Sequence, residues 1–84
     1  MTEERLAELI VQNALKYHDE STGLAPSLVL DKEDYADFDF DIVKEHLKEY
    51  GFTIIEGRDA PPPFSEMDED FKSRKWFAYQ DERL

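Results

Sequence analysis

The sequence contains no cysteine. Disulfide bonds, thiolate metal ligands and cysteine nucleophiles are therefore excluded. A secreted domain of this length usually depends on disulfide staples, so a reducing cytoplasm is the expected setting. No apolar run approaches the roughly 18–20 residues that span a bilayer. The opening residues Met1-Thr2-Glu3-Glu4-Arg5 are acidic where a signal peptide is basic, so no membrane association is expected. Cations are scarce as well: 10 Lys and Arg stand against 21 Asp and Glu, a formal charge of −11. Binding to DNA or RNA depends on cations that displace counterions from phosphates. A field of this sign repels a phosphate backbone and attracts a basic protein, so no direct nucleic-acid partner is expected. Glycine occurs three times, never in a phosphate-cradling loop.

What remains is enough for one domain. The chain has 84 residues, 40% apolar and 13% aromatic, which is too rich in core-forming groups for a disordered acidic tail. Residues 1–84 are expected to form a single acidic α+β domain with two main helices, about 3–18 and 41–50. A short antiparallel sheet is expected from about 27–30, 52–56 and 74–80.

The first helix is read from Thr2 as cap, Glu3 and Glu4 at the positive end of the dipole, and Leu6, Leu9, Ile10, Ala14 and Tyr17 at helical spacing. Ala7, Val11 and Leu15 widen the stripe. Ser27-Leu28-Val29-Leu30 reads as a strand. Asp37-Phe38-Asp39-Phe40-Asp41-Ile42 alternates with period two, carboxylates on one side and apolar groups on the other. Asp39 or Asp41 also suits the cap of the next helix, whose inner face is read as Ile42, Val43, Leu47 and Tyr50. Gly51 stands where a left-handed cap is needed, and Phe52 where it folds back on Leu47. Pro61-Pro62-Pro63 is stiff and extended. Ser65 and Asp68 resemble a capping box for a short helix over 66–72 that turns Met67 and Phe71 inward. Residues 74–80 are read as a strand pairing with 52–56, with a helix running on from 66 as the alternative.

The charge is concentrated. Asp31, Glu33, Asp34, Asp37, Asp39 and Asp41 face Lys32 alone within 31–41, giving −5, and Glu66, Asp68, Glu69 and Asp70 add −4. Asp37-x-Asp39-x-Asp41 fails as a helix-loop-helix calcium loop, because Ile42 and Lys48 occupy the positions that need glycine and glutamate. His18 and His46 lack the spacing of a zinc pair, and His18 suits a helix C-terminus instead. No nucleophile, base and orienting group recur at catalytic spacing. Neither an enzymatic activity, nor a metal, nor any other cofactor is expected. Lys72, Arg74 and Lys75 beside Trp76, Phe77 and Tyr79 have the composition of a stacking platform for single strands, but their expected partners are the acids just before them, and Trp76 reads as core.

Helix 41–50, strand 52–56, a long connection and strand 74–80 follow an order that resembles the second half of a winged-helix domain. In DNA-binding members of that family the equivalent helix enters the major groove. Here that helix opens Asp39-Phe40-Asp41 and carries Glu45 and Glu49 against Lys44 and Lys48, so the resemblance implies shape and not DNA binding.

The leading expectation is an acidic inhibitor, or nucleic-acid mimic, that covers the basic nucleic-acid-handling surface of a partner protein. Phage antagonists of host defence and immunity proteins against nucleases are its natural settings. Its expected contacts are Glu33, Asp34, Asp37, Asp39, Asp41, Glu45, Glu66, Asp68, Glu69 and Asp70. Two ladders support it: alternate residues of a strand about 6.6 Å apart, and carboxylates four apart on a helix, about 6 Å along its axis. The alternative is a small adaptor or regulatory subunit that docks through an apolar aromatic face.

Overall fold

Thr2 starts the first helix: its hydroxyl accepts the Arg5 amide at 3.2 Å, and α1 runs Glu3–Lys16. A computed structural model describes residues 1–23, 25–62 and 64–81, so Pro63 of the proline stretch lies outside the described residues. After α1 come β1 (Ser27–Asp31), α2 (Phe40–Lys48), β2 (Phe52–Glu56), α3 (Glu69–Ser73) and β3 (Lys75–Gln80). Short 3-10 turns occupy Glu20–Thr22, Gly57–Asp59 and Phe64–Glu66. The fold is α+β, with two main helices and a three-stranded antiparallel sheet in the order β1-β3-β2. Residues 75–80 are a strand and not a helix running on from 66. They pair with β2 as expected, and they also take the centre of the sheet by pairing with β1.

The register sorts the two faces. Leu28, Ala78 and Ile54 lie abreast, and Leu30, Trp76 and Glu56 form the next row. Directly opposite residues of antiparallel strands share a face. This is the face that meets the helices: Leu30, Ile54, Phe52 and Ala78 join Leu6, Ala7, Ile10, Val11 and Ala14 of α1 and Val43 and Leu47 of α2 in one core. The other face carries Val29, Phe77 and Ile55 in a row. Phe64 from the β2–β3 connection covers part of it, with its ring 5.6 Å from that of Phe77.

Five local expectations are corrected. The stripe of α1 is narrower than read: Leu15 and Tyr17 are exposed, and the helix ends at Lys16. Ile42 and Tyr50 are also exposed; nine helical residues bury only Val43 and Leu47. The alternation at 37–42 does not form a strand. The chain turns through 32–38 and enters α2 at Phe40, because the Asp39 side chain accepts the Asp41 amide at 3.0 Å and caps the helix. The cap of α3 is Asp68, accepting from the Asp70 amide at 2.8 Å, in place of Ser65. Met67 and Phe71 are exposed, and the side chain that turns inward from α3 is Lys72. Its ammonium donates to the Ser65 carbonyl at 2.7 Å and pairs with Glu69 at 2.9 Å.

The end of α2 follows its sequence signal. Gly51 has φ 76, the left-handed region, and the Tyr50 and Gly51 amides donate to the Leu47 and Lys48 carbonyls. Phe52 then drops into the core beside Leu47.

Candidate functional site

All ten carboxylates of the expected contact surface are exposed, but they fall into two places with different surroundings. Glu33, Asp34 and Asp37 lie on the turn between β1 and α2, Asp39 caps α2, and Asp41 and Glu45 follow on that helix. The turn is pinned from beneath. Lys32 donates its amide to Arg74 O at 3.0 Å, Tyr35 donates to Lys32 O at 3.3 Å, and Phe38 donates to Tyr35 O at 3.1 Å. Tyr35, Phe38 and Phe40 pack against the core. The separation read from the alternation therefore survives without a strand: aromatic residues point in and carboxylates point out, on a turn and a helix start. α1 adds a residue that the sequence reading missed, since Glu3 accepts the Asp39 amide at 3.2 Å. The positive end of α2 favours this gathering of negative charge.

Two of the four carboxylates of the second acidic segment are answered by cations close by in the chain. Glu69 pairs with Lys72, and Asp70 with Arg74, as expected for cations placed just after that run. Lys75 departs from the expectation. It reaches across the sheet end to Asp31, its partner in the β1–β3 register, and its ammonium lies 4.7 Å from the Phe71 ring centroid. A cleft of about 660 Å³ opens here, lined by Asp31, Glu33, Asp68, Asp70, Phe71 and Arg74 among others. It brings parts of both acidic segments together. Its lining also includes Lys32, Arg74 and Lys75, so four carboxylates face three cations and the cleft is close to neutral.

On the first segment the balance differs. Among the described residues no ion pair forms at Glu33, Asp34, Asp37, Asp39 or Asp41, whereas Glu45 pairs with Lys48 at 3.1 Å. Asp41 and Glu45 preserve the helical spacing, with Lys44 and Lys48 beside them. The strand ladder has no counterpart. Asp19 lies apart from these segments, in the turn after α1. The Ser21 hydroxyl and amide, with a smaller contribution from His18, hold its carboxyl below the ordinary carboxylate range. Trp76 packs against the core, and Phe77 is buried, so neither projects as an anchor. No described helix is long and apolar enough to cross a membrane. Comparison with protein-family models, curated proteins and solved structures gives no match.

Proposed function

We propose that the chain is a non-enzymatic acidic inhibitor that occupies the basic, nucleic-acid-handling surface of a partner protein. One observation carries this reading: five exposed carboxylates, at positions 33, 34, 37, 39 and 41, none of which forms an ion pair among the described residues. A pinned turn and a helix start hold them in place, so little conformational freedom is lost when a cationic surface meets them. Acids kept for solubility alone need no such backing, and Glu69 and Asp70, paired to Lys72 and Arg74, supply a contrast. Glu33, Asp34, Asp37, Asp39 and Asp41 are accordingly the principal contacts. Asp41 and Glu45 extend the surface along α2, and Glu66, Asp68, Glu69 and Asp70 are secondary.

The test is capture of a partner from a host lysate at low salt, followed by challenge. The expected partner is a basic nucleic-acid-binding protein that duplex DNA displaces. Salt should also release it when raised from about 0.1 M to about 1 M, which shortens the screening length from about 10 Å to about 3 Å. Retention of the partner through both challenges would exclude the inhibitor reading. It would favour an adaptor that docks through the partly covered sheet face at Val29, Ile55 and Tyr79.

A further inference from the structure

At one end of the sheet Glu56 lies directly opposite Trp76, and Trp76 opposite Leu30. Leu30 is core, so this row faces the helices. Lys32 lies two residues beyond Leu30, and its amide extends the ladder to Arg74 O. That makes its side chain the diagonal neighbour of Trp76 on the same face. The ammonium of Lys32 sits over the indole, 4.8 Å from the ring centroid, and pairs with the Glu56 carboxylate. Phe40, at the start of α2, stacks on the indole with centroids 4.7 Å apart and planes 18° from parallel. An aromatic face beside a carboxylate is the chemistry with which proteins hold cations. The side chains of Lys32 and Glu56 remain 31% and 35% exposed, so the site is open to solvent. The turn bearing Glu33, Asp34 and Asp37 begins next to it.

We propose that Trp76 and Glu56 form a binding site for an arginine or lysine side chain of a basic partner, and that Lys32 fills it in the free chain as an internal stand-in. This rests on the function proposed above only for the protein that delivers the cation. Exchange of one cation for another keeps Glu56 paired, and Lys32 has Glu33 and Asp34 as the next carboxylates along the chain. Arginine is the better occupant. Its planar guanidinium stacks on an indole and meets a carboxylate with two parallel hydrogen bonds, which an ammonium cannot do. The exposed carboxylates of the adjoining turn raise the local concentration of incoming cations.

Trp76 is the single tryptophan of the chain, so its fluorescence reads the site directly. The probe is a tetra-arginine peptide, titrated at fixed ionic strength into the wild type, Lys32→Ala and the double variant Lys32→Ala/Glu56→Gln. The double variant has the same net charge as the wild type. Lys32→Ala should bind with a saturable change in emission at about tenfold lower peptide concentration than the wild type. The wild type should reach the same end point at higher concentration, and the double variant should lose the gain. Circular dichroism checks the fold, and Lys32→Ser serves if the alanine variant melts early. Equal binding by the wild type and the Lys32 variant overturns the proposal, as does a gain that survives Glu56→Gln. Either result, with partner binding still sensitive to salt, leaves the acidic-surface reading intact.

Discussion

At position 57 the backbone leaves no room for a methyl group. A Cβ built there would lie 2.4 Å from the carbonyl oxygen of Lys72 and 3.0 Å from that of Lys75. Both are backbone atoms, and the segment that holds them is tied down, since Lys72 is buried with its ammonium on the Ser65 carbonyl. Gly57→Ala is therefore expected to cost about 1–3 kcal/mol, the usual range for overpacking, read as a lower denaturation midpoint. A midpoint equal to that of the wild type would mean that the β2–β3 connection shifts freely. This need was not legible in the sequence, because the crowding atoms come from much later in the chain and leave no local trace. Gly51 is the opposite case. It follows a run of helical residues and precedes an apolar one, and its φ of 76 is what that pattern expects. Lys72 was equally hidden, since a lysine in an acidic, polar stretch reads as a surface residue.

Among the elements, α2 tests how local signals compete. The alternation over 37–42 is as long as a strand of this sheet, but the Asp39 cap commits its second half to α2. Asp39 both accepts the Asp41 amide and donates its own amide to Glu3. Asp39→Ala should lose about 1 kcal/mol of stability, whereas Asp39→Asn should lose little, because asparagine caps about as well. Equal losses in a urea titration would show that the carboxylate charge, and not the cap, matters here. β2 and the helix preceding it were legible because the cap, the apolar spacing and the β-branched centre agree. The sheet order was not. β3 pairs with both other strands, and pairing between distant segments is written in no single stretch of sequence. The same holds for the candidate site. The two acidic runs were visible, but their different fates depend on Lys72, Arg74 and Lys75. Lys72 and Arg74 answer acids three and four residues before them, and Lys75 answers Asp31 across the sheet.

For the whole molecule the formal charge is −11, and the question is which part of it meets a partner. Changing Asp37, Asp39 and Asp41 together to Asn brings the charge to −8, since three of the eleven net negative charges are removed. Folding should change little: all three side chains are exposed, asparagine retains the cap, and like-charge repulsion falls. Binding should change much more. Among the described residues no cation pairs with these carboxylates, so a basic surface meets their full charge. Their loss should slow association and weaken affinity, most clearly at low salt, with a shallower dependence on ionic strength. Neutralising Glu66, Asp68, Glu69 and Asp70 removes four charges in place of three, yet it should weaken partner binding less. Glu69 and Asp70 are already paired to Lys72 and Arg74, and freeing those two cations is expected to destabilise α3 first. The ranking is therefore opposite to the one that charge counting gives. Association rates measured at two salt concentrations for both variants decide between them. A larger rate loss in the 66–70 variant, at unchanged stability, would move the contact surface from the turn before α2 to the cleft beside α3.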